Sequence, residues 1–170
     1  MIVRRELPAD VAASRIVQSA AFDTGEGEPA EAGLLDALRS CDGWIPALSW
    51  VAEIDSRIVG HNVCTRGYVN DVPCVGLGPI GVAPDSQHSG VGSALMHTMI
   101  GAADALGEPL IALLGDPDYY SKFGFVPSAE LGITPPEAEW SIHFQVLPLA
   151  GWNDAITGSF QYSAPFGEVS

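Results

Sequence analysis

Residues 80–93, Ile80-Gly81-Val82-Ala83-Pro84-Asp85-Ser86-Gln87-His88-Ser89-Gly90-Val91-Gly92-Ser93, join an extended segment to the start of a helix. The chemistry of that junction constrains everything around it. Glycines at 90 and 92 let backbone amides turn inward with no Cβ in the way, and the helix that follows adds its free first-turn amides and the positive end of its dipole. The result is an anion cradle of a size that suits a diphosphate. The loop lacks a Gly-Lys-Ser/Thr run, so it has no lysine for a terminal phosphate and no hydroxyl placed for magnesium, which argues against a nucleotide triphosphatase. A Gly-rich strand-to-helix turn with a purely structural role remains the competing reading of these residues.

The helix itself is predicted over Gly92–Leu106, where Leu95, Met99, Ala102 and Leu106 recur at helical spacing and Gly107 supplies a stop. Just upstream, Gly76-Leu77-Gly78-Pro79-Ile80-Gly81 satisfies the GxGxxG pattern of dinucleotide-binding folds. That fingerprint requires a helix to begin inside it, whereas Val82-Ala83-Pro84 continues extended and Pro84 would break a helix. The glycines therefore read as sites of a bulge or of close backbone approach.

Working outward, strands are predicted at Ile2–Glu6, Leu48–Ile54, Arg57–Val69, Val72–Val82 and Leu110–Leu114, with Phe125–Val126 and Ile142–Leu147 to follow. Asp55-Ser56 is a two-residue turn signal that pairs the second and third of these as an antiparallel hairpin. Helices are predicted from Pro8-Ala9-Asp10 to about Phe22, with Val11, Ile16, Val17, Ala20 and Ala21 inward, and over Ala30–Arg39 with Leu34, Leu35 and Leu38 inward. A short one covers Asp118–Lys122 and ends at Gly124. The tail after Leu149 carries little signal.

The 170 residues suffice for one domain with a full core, and 47% hydrophobic against 16% charged composition disfavours disorder. A net charge of −14 disfavours nucleic acid and anionic membrane surfaces as partners while permitting a cationic amine. With no signal-peptide pattern at the start and no run of membrane-spanning length, the expectation is a cytoplasmic protein. Cys41, Cys64 and Cys74 form no CxxC and read as small reduced hydrophobes. The histidines have no partners at ligand spacing, so no metal is expected.

Ile80-Gly81-Val82-Ala83-Pro84 followed by Gln87-x-x-Gly90-x-Gly92 and a helix resembles the acyl-CoA motif of the GNAT N-acetyltransferase superfamily. Tyr120-Ser121-Lys122-Phe123-Gly124-Phe125 resembles that family's Tyr-x-x-x-Gly-Phe segment. Together the matches span residues 77–126, most of all in the manner of the small YhbS-like bacterial branch. The resemblance implies a single three-layer domain over residues 1–170, of mixed α/β class, with a twisted mixed sheet flanked by helices. It implies acetyl-CoA in a V-shaped gap between the fourth and fifth strands, with Leu77–Val82 splayed from Leu110–Leu114.

On that resemblance, backbone amides of Ile80, Gly81 and Val82 would bind pantetheine and polarise the thioester carbonyl. Those of Gln87, His88, Ser89, Gly90, Val91, Gly92 and Ser93 would hold the pyrophosphate. Tyr120 would protonate the departing CoA thiolate, an aromatic core side chain being the plainer reading of it and of Tyr119. The implied activity is transfer of acetyl to the primary amine of a small molecule or peptide by direct attack in a ternary complex. A non-catalytic acyl-CoA sensor or interaction module is the alternative.

No motif assigns the general base, for which Glu53, Asp71 and His61 are the candidates. Glu26 and Glu28, in the loop between the first two helices, are candidates for lining an acceptor channel, although an exposed acidic loop needs no such role. Lys122 is the only lysine, which leaves few side chains for the CoA 3′-phosphate. A homodimer is a family-level expectation only, with Trp44, Trp50, Trp140 and Trp152 as interface candidates or ordinary core.

Overall fold

The computed structural model describes residues 1–25 and 27–168. In chain order the elements are β1 (Ile2–Arg5), α1 (Val11–Ala21), α2 (Ala30–Arg39), β2 (Trp44–Ile54), β3 (Arg57–Val69), β4 (Val72–Val82), α3 (Val91–Ala105), β5 (Leu110–Leu114) and α4 (Pro117–Tyr120). The short β6 (Val126–Pro127), β7 (Ile133–Thr134), β8 (Phe144–Pro148) and β9 (Gly158–Gln161) complete the sheet.

Asp55 and Ser56 both take positive φ, 49° and 64°, the turn geometry that matches the twist of flanking strands, and so lock the β2–β3 hairpin. The sheet runs β1-β2-β3-β4-β5-β8-β6, antiparallel except for the β4–β5 pair. β9 pairs Tyr68 and Val69 of β3, on the edge that β2 leaves after Thr65, and carries β7.

Alternation along the strands sorts the core into faces. Cys64, Val75, Leu77, Ile111 and Leu113 meet Met96, Met99 and Ala103 of α3. The intervening Cys74, Leu110 and Ala112 point the other way, onto Phe144, Ile156 and Phe160. Burial pushes the thiols of Cys64 and Cys74 up in pKa, and both remain free.

Two predicted faces are corrected. In α1, Ile16 is 68% exposed while Ser14, Val17 and Gln18 are buried, because this helix turns Gln18 toward β3 and β4. In α3 the inward side is Val91, Leu95, Met96, Met99 and Ala103; Leu106 lies past the helix end and is exposed. Phe125 is a core residue just before β6 rather than part of it.

The pseudo-fingerprint glycines lie inside β4, where no helix begins, and they serve close approach. A Cβ on Gly76 would stand 2.5 Å from Cε1 of Tyr162, and one on Gly81 would stand 2.6 Å from Oε1 of Gln18. Gly76→Ala should therefore cost about 1–3 kcal/mol through overpacking. In thermal unfolding that is a fall of roughly 2–4 °C per kcal/mol; an unchanged melting temperature would show that Tyr162 yields freely.

Candidate functional site

β4 and β5 are hydrogen-bonded only at Val75–Ile111 and Gly76–Ala112. Past that point β4 keeps only β3 and β5 keeps only β8, so two facing strand edges carry backbone donors and acceptors with no strand between them. The divergence has a local cause. The β3–β4 register slips between Asn62–Ile80 and Cys64–Leu77, which gives β4 one extra residue there. The extra residue falls at Gly78-Pro79, and proline, which has no N–H to give a ladder, suits a bulge that bends its strand.

Two adjoining cavities of about 620 Å³ and 570 Å³ open along the gap and share Phe22, Ile80, Tyr119 and Tyr120. The second takes in the predicted cradle: Ile80, Gly81 and Val82 on the strand side, Gln87, His88, Gly90, Gly92 and Ser93 on the loop and helix side, and Tyr120 at the junction. Ser89 and Val91 do not line it. The Ser89 hydroxyl donates to the carbonyl of Ser86, and the Val91 side chain packs in the core.

The cradle is built by the backbone. Gly90 is the N-cap of α3 at φ +89° and has no side chain to cap it, so the first-turn amides of the helix keep no intrahelical or side-chain acceptor. A Cβ placed on Gly90 would meet nothing within 4 Å, so the open side of the turn is free space. His88 also takes a positive φ of 58°, and the Gln87 side chain donates to the carbonyl of Val82 at 3.1 Å, tying the loop to the end of β4.

Tyr120 reaches the junction through α4. Asp116 accepts from the amide of Asp118 at 3.0 Å, Pro117 occupies the first helical position, and Gly124 at φ +93° ends the following turn. Gly115 leaves the space that the Tyr120 ring fills. Burial, with Tyr119 and Asp116 adding negative potential, pushes the Tyr120 phenol up to about 12. Tyr119 is also half-buried, and Lys122 Nζ sits 3.8 Å from its ring centroid. Among the described residues Lys122 is the one lysine or arginine that lines this cavity.

None of the three candidate bases lines either cavity. Glu53 pairs with Arg4 at 2.8 Å at the far edge, and Asp71 is exposed in the β3–β4 turn. His61 is wholly buried. Its Nδ1 lies 2.9 Å from Nε2 of Gln18 and its Nε2 lies 3.0 Å from Oγ of Ser49, which donates to Glu6 at 2.7 Å. Burial lowers the imidazole pKa, with Glu6 opposing. Gln18 also donates to the carbonyls of His61 and, at 3.5 Å, of Pro79, so this network props the bulge instead of touching a substrate.

Glu28 pairs with Arg15 at 2.7 Å, and Glu26 lies outside the described residues. His97 packs edge-on to Phe123, and His143 is exposed. Among the described residues no three of His, Cys, Asp and Glu gather as a metal site, and no helix is long and apolar enough to cross a membrane. Sequence reasoning gave no role in the site to Phe22, Trp140, Tyr162 or Phe166, which wall the 620 Å³ cavity. The alternation of Phe160 and Tyr162 was the one signal in the tail.

A mixed sheet opened at its parallel pair, with an uncapped glycine-led helix start facing the opening, is the architecture of the acetyltransferase fold class. The sequence profile of the acetyltransferase (GNAT) domain matches residues 46–127. The uncharacterized N-acetyltransferase YjhQ of Escherichia coli K12 is 34% identical over 125 residues, which are 71% of this chain and 67% of YjhQ. The uncharacterized N-acetyltransferase YhbS of the same organism is 28% identical over 162 residues, 93% of this chain and 92% of YhbS.

The crystal structure of Escherichia coli YhbS in complex with CoA matches with a TM-score of 0.89 at 26% identity, over 98% of this chain and 91% of that one. A GNAT family acetyltransferase from Brucella melitensis in complex with acetyl-CoA matches at 0.80 and 30%, over 97% of each. The chain belongs to the GNAT N-acetyltransferase family.

Proposed function

We propose that this protein transfers an acetyl group from acetyl-CoA to the primary amine of a small molecule or peptide, by direct attack in a ternary complex. The observation that carries the reading is the divergence of β4 and β5 onto the uncapped start of α3, with the Tyr120 side chain at the junction. The fit to CoA rests on the open space beyond Gly90 and on the unpartnered amides beside it. The complexes of YhbS with CoA and of the Brucella melitensis protein with acetyl-CoA support it.

When bound, acetyl-CoA supplies the activated acyl group. The amides of His88, Gly90, Gly92 and Ser93, which line the cavity, would hold its pyrophosphate against the helix dipole. Those of Ile80 and Val82, which strand alternation turns to the edge of β4 that has lost its partner, would hold the pantetheine amides as an added strand would and polarise the thioester carbonyl. Tyr120, its proton retained by burial, would donate to the sulfur as the carbon–sulfur bond breaks. Gln18, through Pro79, would keep the bulge in the shape that separates the strands.

Incubating the protein with acetyl-CoA and an amine panel should release thiol and give acetylated product only when both substrates are present. Saturable acetyl-CoA binding with no thiol release from any amine would favour the sensor reading. Lys122 bears on the cofactor alone. Removing its charge in Lys122→Gln should weaken CoA binding about fivefold, the worth of an exposed charge contact of ~1 kcal/mol, with the difference fading at high salt. Equal affinities at low salt would show that Lys122 meets no phosphate.

A further inference from the structure

The 620 Å³ cavity lies on the side of Tyr120 away from the cradle, and its chemistry differs from that of its neighbour. Its far wall is aromatic. Trp140 and Tyr162 stand edge-on with centroids 6.5 Å apart, and Tyr162 stacks on Phe166 at 4.5 Å. Phe22 and Leu34 close it from the side of α1 and α2.

The charged groups that line it are carboxylates, Glu31 in the first turn of α2 and Asp116 at the N-cap of α4, and among the described residues no lysine or arginine lines it. Among the described residues Glu31 makes no ion pair. The arginines of the two nearby helices are taken, Arg15 by Glu28 and Asp36, Arg39 by Glu6. A ligand bearing a carboxylate would enter with no counter-charge and would desolvate against two acids, whereas an ammonium carried on a flat apolar body would meet both halves of the lining.

On the proposed acyltransferase reading, we infer that the acceptor is a primary amine on an aromatic body with no acidic group, seated against Trp140, Tyr162 and Phe166. The ammonium first gives one proton to the rim carboxylates and through them to solvent. The neutral nitrogen then attacks the thioester carbonyl, forming the C–N bond as the C–S bond breaks. Tyr120 gives its proton to the CoA sulfur, and the second proton lost from nitrogen restores the phenol. The products are the N-acetyl amine and CoA thiol.

The test uses the intact protein at saturating acetyl-CoA and measures thiol release for matched pairs: phenethylamine against phenylalanine, tryptamine against tryptophan, with spermidine and a lysine peptide as polar amines. The amine of each pair should exceed its amino acid in kcat/KM by at least 30-fold and exceed the polar amines. Trp140→Ala should raise the tryptamine KM about tenfold with acetyl-CoA affinity unchanged, and Glu31→Lys should lower the tryptamine-to-tryptophan ratio about tenfold. Amino acids turned over as well as their amines, or polar amines preferred, would overturn the assignment. So would saturable acetyl-CoA binding with no aromatic amine acetylated, which leaves the acyl-CoA site standing. Absence of acetyl-CoA binding would instead remove the underlying reading and this one with it.

Discussion

Tyr120→Phe should lower turnover at least about 100-fold, the low end of what a positioned general acid contributes, and leave acetyl-CoA affinity unchanged. The substitution deletes one oxygen and keeps the ring that packs edge-on against Tyr119 and Phe125, so neither the fold nor the cavity wall should change. The pH profile sharpens the test. An acid works only while it holds its proton, and burial has pushed this phenol upward, to about 12, so its contribution should persist through the alkaline range. The wild-type kcat should show no fall near pH 10, where an ordinary tyrosine would ionise. Unchanged turnover in the variant, measured with an acceptor found by thiol release, would take Tyr120 out of the chemistry. An alkaline limb near pH 10 that disappears in Tyr120→Phe would keep the residue but contradict its burial.

The second large effect is expected at Gly90. Gly90→Glu places a carboxylate in the free space beside the first-turn amides of α3, where the pyrophosphate would sit, and should weaken acetyl-CoA binding at least about 100-fold by exclusion and like-charge repulsion. Any L-residue at φ +89° carries a backbone cost of roughly 1–2 kcal/mol. Gly90→Ala separates the two causes, because its Cβ meets nothing and it bears no charge. Calorimetric titration of both variants should find a small loss in Ala and a near-complete one in Glu, at similar melting temperatures. Equal losses would mean that turn geometry, not the anion, decides binding at this position.

Much of the scaffold could be read from local pattern. Arg57–Val69, Val72–Val82, Leu110–Leu114 and Ala30–Arg39 stand in the structure with the bounds the sequence suggests. Ala30–Arg39 has a helical period, and Gly, Pro, Asn or Asp marks the ends of the three strands. What failed has an identifiable physical origin. Gln18 takes the buried side of α1 because a polar partner, His61, waits beneath it, and a rule that places apolar residues inward cannot see that. Strands of two residues, β6 and β7, are too short to have a period.

The residues that the family resemblance marks for the cofactor gather mostly along one cavity, because glycines and a Tyr-x-x-x-Gly-Phe segment fix backbone conformation locally. The opposite half was not legible. Its walls come from Phe22, Trp140, Tyr162 and Phe166, brought together across 145 positions of chain only by folding. The search for a base in Glu53, Asp71 and His61 failed for a related reason: chemistry-bearing side chains were visible, but which face of the sheet each would occupy was not.

The most direct measurement is a calorimetric titration of the folded protein with acetyl-CoA, with CoA and NADH in parallel. Saturable one-to-one binding of acetyl-CoA and CoA, absent for NADH and lost in Gly90→Glu, is the expected result. Protein shown to be folded that binds neither acetyl-CoA nor CoA would contradict the account, because the split sheet and the glycine-led helix start would then be a turn without a ligand.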